Sequence, residues 1–385
     1  MLEELLTEVH TAAPMELPIL VNRCATAVGL EEIVIYLVDL QQRHLVPLTH
    51  GLPTIDVDFS TAGWAYRTLD LRIEDSGESE LTAWLPLVDG AERLGILGVR
   101  MDSLDLARLR RCRMIASVLA MAITSKRAYS DSFARHARTE SMDLPAEMLR
   151  SLLPPRTIGN DYAVSTAVLE PAYHIGGDAF DHSLTESTLH AAIFDAMGHN
   201  LASGLTTAVA MAGCRNARRA GAELPQLIRT IDKALSQWLP DQYCTGVVSR
   251  LNLADGVFRW CNCGHPPPLL IRDERVLEKA LERSPQPPMG LPAQFAGTTR
   301  EAHEVRLEPG DRVLFYTDGV TEARVEGGEE FGLDGFTSSI IRGSAAGELT
   351  PEVLRRLIHS ILDRQNDQLR DDATLLLIEW RPPRP

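Results

Sequence analysis

No stretch of this chain stays apolar long enough to cross a membrane. The longest, Met114 to Ile123, falls far short of the ~18–20 residues that a bilayer-spanning helix needs. Basic residues are few beside acidic ones: 38 Lys and Arg stand against 53 Asp and Glu, for a net charge of −15. Such a surface repels phosphates, which argues against duplex DNA or anionic lipid as the main partner. Cysteine is sparse as well. Cys24, Cys112, Cys214, Cys244, Cys261 and Cys263 follow no spacing expected of a disulfide-stapled secreted domain. The acidic, amphipathic start MLEELLTEVH is neither a signal peptide nor a transit peptide. A Walker-type phosphate loop is also missing, which disfavours an NTPase. What remains is a reduced, cytoplasmic, globular chain with neither nucleic acid nor membrane as partner. Its 385 residues, 44% of them hydrophobic, suffice for two or three domains of ~100–200 residues.

The first hundred residues read as helix followed by antiparallel sheet. Leu17, Leu20, Val21, Cys24, Ala25 and Val28 recur at helical spacing, and Gly29 is placed to end that helix. Ile33 to Val38 suits a buried strand that Leu45 to Leu48 can pair with. Ala83 to Val88 and Leu94 to Arg100 flank Asp89-Gly90, a hairpin signal. Neither glycine nor proline interrupts the 46 residues from Val99 to Leu144. Within them Ile115, Val118, Leu119, Ala122 and Ile123 form a helical stripe, and the polar segment Thr124 to Asp143 follows. This predicts either a helix that continues as a connector between domains or a surface helix followed by a loop. Beyond it, LPAEMLRSLL stops at Pro154-Pro155. Strands are expected at Ala163 to Leu169, Leu189 to Phe194, Thr245 to Leu253, Val257 to Asn262, Leu269 to Ile271, Arg312 to Tyr316 and Ala373 to Trp380. Helices are expected near Gly204 to Ala220, Pro225 to Trp238 and Pro351 to Arg364. Strands in meanders with helices inserted in blocks predict an α+β sandwich rather than a doubly wound parallel sheet.

Aspartates recur where these strands begin or end. Asp178 follows Ile175-Gly176-Gly177; Asp195 closes LHAAIF; Asp318 follows VLFYT and precedes Gly319; Asp371 and Asp372 open ATLLLIEW. Each alone is most simply a turn cap. Converging, they would form a repulsive cluster that needs cations, and hard divalent ions prefer such oxygen ligands. Cys261, Cys263 and His265 alternate along a strand, which leaves open a thiolate–imidazole metal site or plain strand packing. His199 and His265 fit either turn stabilisation or contact with substrate or water.

The ordered series IGGDAFD, FDAMGHN, CGHPPPLL, FYTDGVTEAR and DDATLLLIEW resembles the signature motifs of bacterial PPM-type serine/threonine phosphatases of the SpoIIE/RsbU branch. SLLPPR, Ser151 to Arg156, matches the usual start of that domain. The resemblance covers Leu144 to Trp380. It implies a β-sandwich flanked by helical layers (αββα) and two Mn²⁺ or Mg²⁺ ions at one end. It places metal ligands on Asp178, Asp195 (bridging both ions), the backbone carbonyl of Ala196, Asp318 and Asp371. Asp181, His199, Gly319 and Asp372 are possible supporting positions, with Asp181 either near the ions or purely structural. Asn200 stands where the family usually has glycine, and it tolerates positive φ. The implied chemistry is in-line attack on phosphorus by metal-activated water.

The amino-terminal region resembles a GAF sensory domain, most clearly in its WLPL…LGILGV hairpin. Trp64, Tyr66 and Trp84 read either as core aromatics or as the lining of a ligand pocket, and no residue identifies a ligand. The expected organisation is a GAF-like domain over residues 1–125, a helical linker over 126–150 and a phosphatase domain over 151–385. GAF relatives suggest a homodimer through this domain and the linker helix, with the stripe ending at Ile123 pairing with its copy. The resemblance further implies that the substrate is a phosphorylated STAS-domain anti-anti-sigma protein in a partner-switching pathway. A catalytically silent STAS-binding scaffold and a small-molecule phosphohydrolase are the two rivals.

Overall fold

The computed structural model describes residues 2–26, 29–75, 77, 80–174, 176–198, 200–284, 286–291, 300–321, 332–364, 369 and 371–382. The chain divides into two compact units, Met1–Ser141 and Met142–Pro385. Among the described residues no helix is long and apolar enough to cross a membrane.

The first unit begins with helices α1 (Leu2–Thr11) and α2 (Leu17–Thr26). Strands β1 (Glu32–Val38), β2 (His44–Pro47) and β3 (Ile55–Asp56) follow, then helix α3 (Thr61–Thr68). Strands β4 (Arg72–Asp75), β5 (Leu81–Asp89) and β6 (Glu92–Met101) lead into helices α4 (Leu106–Arg127) and α5 (Ser132–Ala137). The strands make one antiparallel sheet in the order β3-β2-β1-β6-β5-β4. Gly90, at φ +60°, allows the tight turn of the β5–β6 hairpin.

The connector differs from the expected continuous helix. The helical ladder ends at Arg127, where Ser130 and Ser132 bond each other and the amide of Ser132. Phe133 and Ala137 are then buried, Phe133 in the core of the first unit, so this stretch folds back as α5 instead of running on. The helical stripe is also spent within its own unit. Ile115, Val118, Leu119 and Ile123 belong to one core cluster with Leu17, Val21, Leu85 and Val99. Tyr66 and Trp84 are core aromatics, packed with Tyr36, Val57, Ala65 and Ile96, while the Arg72 guanidinium covers the Trp64 ring.

In the second unit, helix α6 (Leu144–Leu152) precedes strands β7 (Thr157–Gly159), β8 (Ala163–Glu170), β9 (Asp178–Leu184) and β10 (Thr188–Ala196). Helices α7 (Leu201–Arg219) and α8 (Leu224–Trp238) come next, then β11 (Cys244–Asn252), β12 (Val257–Cys263), β13 (Leu269–Arg272) and β14 (Arg275–Leu277). Strands β15 (His303–Arg306) and β16 (Arg312–Tyr316), helices α9 (Asp318–Thr321), α10 (Gly332–Ala345) and α11 (Thr350–Arg364), and strand β17 (Ala373–Trp380) complete it. Two antiparallel sheets result, β15-β12-β11-β10-β9 and β14-β13-β16-β17-β8-β7. Phe180, Ile193, Val247, Trp260, Phe315 and Leu376 fill the space between them. Helices α7 and α8 cover the outer face of the first sheet, with Met211, Ile228 and Ile231 packed on Phe194 and Val248. Helix α11 covers the second through Leu354, Leu357 and Ile358 on Leu314 and Leu375. The unit is a four-layer αββα sandwich.

His182 lies buried between the sheets. Its Nε2 donates to the Pro155 carbonyl at 2.7 Å, and its Nδ1 meets the Ser165 hydroxyl at 2.9 Å. Burial pushes its pKa down to about 4. Unfolding returns it to its ordinary value near 6.5, so the unfolded chain binds the extra proton between these values. Stability is therefore full above about pH 6.5 and falls as the pH drops toward about 4. His182 alone should cost on the order of 2 kcal/mol between pH 7 and pH 5. Urea unfolding at the two pH values checks this, and His182→Gln should shrink the difference. An equal difference in wild type and variant would assign the acid sensitivity elsewhere.

Candidate active site

The carboxylates arrive by strand register. Asp178 at the start of β9 pairs directly with Asp195 near the end of β10, and Asp195 pairs on its other side with Thr245 of β11. Directly paired residues in a sheet project to the same face, so these three side chains stand side by side. The second sheet supplies its own ends at the same edge. Strand β16 runs into Thr317 and Asp318, and Asp371 and Asp372 precede β17.

Asp178 joins the two sheets. It is buried, and its Oδ2 accepts hydrogen bonds from the hydroxyls of Thr317 and Thr374, each at 2.7 Å. Asp372 joins them in the opposite direction. Its Oδ2 accepts the backbone N–H groups of Gly176 and Gly177 at 2.7 Å and of Asp178 at 3.1 Å. Helix α7 holds the same loop from behind, because the Ser203 hydroxyl donates to the Gly176 carbonyl at 3.1 Å and that of Thr207 donates to the Gly177 carbonyl. Two glycines make the close approach possible. A Cβ on Gly177 would lie 2.5 Å from the Ala196 carbonyl oxygen, and one on Gly319 would lie 2.0 Å from that of Asp372.

The cluster is electrostatically strained. Burial, then the charges of Asp195 and Asp372, push the Asp178 carboxyl well above the usual carboxylate range. Burial, then Asp318 and Asp371, push Asp195 up to about 7. Asp318 is raised by burial and by Asp371, and Asp372 by burial. Groups that raise one another in this way are a repulsive set that cations relieve. Among the described residues, no three His, Cys, Asp or Glu side chains already close into a metal cage. The fit is one of donor chemistry. Asp178, Asp195, Asp318 and Asp371, with the Ala196 carbonyl beside Gly177, are hard oxygen donors suited to Mg²⁺ or Mn²⁺.

Of three sequence readings that the structure bears on here, two were open alternatives and one changes. Asp181 faces away from the cluster, because three residues along a strand reverse the side. Its carboxylate is buried against α7, paired at 2.6 Å with both Arg215 and Arg218, and Arg215 also holds the Leu152 carbonyl of α6 at 2.7 Å. It is a structural residue. Asn200 has φ −126° and caps α7, its side chain accepting the amides of Ala202 and Ser203, while the positive φ belongs to Gly198 at +91°. Cys261 and Cys263 are free thiols packed in the helix-facing core, whereas His265 bonds Thr245 and the Tyr316 carbonyl, so they make no zinc site. His199 lies outside the described residues. The threonines Thr317, Thr374 and Thr245 are additions that sequence reasoning missed, although Thr317 and Thr374 stand inside the TDG and DDAT motifs.

A family model described as Stage II sporulation protein E (SpoIIE) matches residues 185–381, just over half of the chain. The chain belongs to the SpoIIE family. The match lies within its second unit. The match takes in Asp195, Asp318, Asp371 and Asp372 and begins after Asp178 and Asp181. The chain is similar to the phosphoserine phosphatase RsbU of Bacillus subtilis (strain 168), 22% identical over 240 residues, 62% of this chain and 69% of that protein. It is also similar to the phosphoserine phosphatase RsbP of the same organism, 23% identical over 171 residues, 43% of this chain and 41% of that one. The chain thus spans less than half the length of RsbP. In fold it is similar to the SiaA-PP2C domain of Pseudomonas aeruginosa, with a TM-score of 0.51 and 19% identity over 61% of this chain and 94% of that domain.

Proposed function

We propose that this SpoIIE-family chain is a metal-dependent protein serine/threonine phosphatase. Its substrate is a phosphorylated STAS-domain anti-anti-sigma protein in a partner-switching pathway, and its first unit is a GAF-like regulatory module. The observation that carries the catalytic part is the mutual repulsion of Asp178, Asp195, Asp318 and Asp372 at one end of the sandwich, next to Asp371. Asp178, Asp195, the Ala196 carbonyl, Asp318 and Asp371 would hold two divalent ions, with Asp195 shared. Bound there, Mn²⁺ or Mg²⁺ would supply an activated water and offset the negative charge on the phosphoryl oxygens. The chain's own residues hold the geometry: Thr317 and Thr374 fix one oxygen of Asp178, Asp372 fixes the loop before it, and Gly177 lets the Ala196 carbonyl approach. The likeness to RsbU and RsbP, both named as phosphoserine phosphatases, supports a phosphoserine substrate.

The test compares a phosphoserine-bearing STAS-domain protein, free phosphoserine, nucleotides and p-nitrophenyl phosphate, each with and without Mn²⁺. Chelation should abolish hydrolysis. The phosphoprotein should exceed free phosphoserine in kcat/KM by about 100-fold or more, because binding energy from remote parts of the partner positions the phosphate for attack. Equal constants would favour a small-molecule hydrolase. Binding of the phosphoprotein without turnover would favour a scaffold.

A further inference from the structure

The Thr245 hydroxyl has one proton and three acceptors in reach. They are the Asp195 carbonyl at 3.4 Å, Asp195 Oδ2 at 3.3 Å and His265 Nδ1 at 3.0 Å. Which of them receives the proton follows from the other side of the imidazole. His265 Nε2 lies 3.0 Å from the Tyr316 carbonyl, which can only accept, so Nε2 carries the ring hydrogen. The ring is neutral: it is buried, and burial pushes its pKa down to about 4. A neutral ring protonated at Nε2 has a bare Nδ1, and that nitrogen accepts the threonine proton. Asn262 holds the His265 backbone from both sides, with Oδ1 accepting the His265 amide at 2.9 Å and Nδ2 donating to the His265 carbonyl at 2.8 Å. Gly264, at φ +71°, makes the turn that brings His265 back beneath Thr245.

We propose that His265 is a positioning residue that holds the Thr245 proton away from Asp195 and so keeps this carboxylate free for cations. Thr245 then presents lone pairs, not a hydrogen, to Asp195 Oδ2. Oxygen lone pairs facing a carboxylate oxygen repel it until a cation engages that carboxylate. A hydrogen bond from Thr245 would instead occupy a lone pair that a bridging ligand needs. The inference rests on the metal-binding reading of Asp195 given above.

Titration calorimetry of the full chain with Mn²⁺ tests it without any turnover. Thr245→Val keeps the side-chain shape and removes the proton. It should bind Mn²⁺ within about twofold of wild type while its melting temperature falls, because His265 Nδ1 is left buried without a donor. His265→Phe frees the Thr245 proton for Asp195 and should weaken Mn²⁺ binding by about tenfold. The double variant His265→Phe/Thr245→Val should recover to within about threefold of wild type, which a purely structural role for His265 does not predict. A tenfold loss in Thr245→Val, with wild type binding normally, overturns the proposal and makes Thr245 a donor to Asp195. That single variant decides the matter even where circular dichroism shows the His265 variants unfolded. Wild type that binds neither Mn²⁺ nor Mg²⁺ at millimolar concentration overturns the metal reading and this inference with it.

Discussion

Asp195→Asn should reduce Mn²⁺-dependent hydrolysis by on the order of 10³-fold or more, and the metal-free chain should be at least as stable as wild type. The two effects have one cause. Burial and the charges of Asp318 and Asp371 raise the Asp195 carboxyl to about 7. An aspartate whose pKa is raised on folding destabilises the native state as the pH climbs from its ordinary value toward that raised one, and the full penalty stands above it. At pH 8 without cations Asp195 is therefore a liability, roughly 1–3 kcal/mol after allowance for its partial exposure. Asparagine has nearly the same shape and carries no charge. It removes the repulsion and, with it, the ligand charge that two cations would share. p-Nitrophenyl phosphate hydrolysis with Mn²⁺ measures the first effect, and melting in excess chelator measures the second. Activity within tenfold of wild type would remove Asp195 from the mechanism. A melting temperature several degrees lower would mean that its charge is compensated within the protein.

The strands that could be read from the sequence are those whose buried faces are apolar. LHAAIF, VLFYT and ATLLLIEW announce β10, β16 and β17, and an aspartate at each end is conspicuous because the neighbouring residues are hydrophobic. Strand β9 escaped the same reading. Its sequence DAFDHSL buries Asp178, Asp181 and His182, three polar groups that a pattern of apolar residues cannot flag. Each is tolerable only because a partner distant in sequence satisfies it: Thr317 and Thr374, Arg215 and Arg218, Ser165 and the Pro155 carbonyl. Periodicity reports transfer from water, and it is blind to polar groups that folding pairs. The connector failed for the converse reason. A stretch without glycine or proline permits a helix but does not require one. Burial of Phe133 and the local bonds of Ser130 and Ser132 favour a break there. Spacing alone left Asp181 open between two roles, since Asp178 and Asp181 are close in sequence but lie on opposite faces of a strand.

Asp372 should prove the most costly site residue to truncate. One of its oxygens serves three consecutive backbone amides, those of Gly176, Gly177 and Asp178, and all three bonds are buried. Those amides lie in the loop that leads into β9 and at the first residue of that strand, while Asp372 precedes β17, so the bracket ties one sheet to the other. Asp372→Ala leaves the amides without an acceptor. At about 1–3 kcal/mol for each buried unsatisfied group, less whatever water recovers, the loss should be on the order of 3–5 kcal/mol. That is a large part of the total stability of an ordinary domain. Asp372→Asn separates charge from hydrogen bonding. Its amide oxygen can take the same position and accept the same bonds, while the charge that burial disfavours is gone, so the net cost should be small. Urea unfolding of the full chain should therefore place Asp372→Asn close to wild type and both well above Asp372→Ala. Hydrolysis should follow the same order, since Asp178 inherits its position from the loop that Asp372 holds. If alanine and asparagine are equally costly, the charge of Asp372 matters and the three bonds do not, and the residue belongs with the metal ligands instead of behind them.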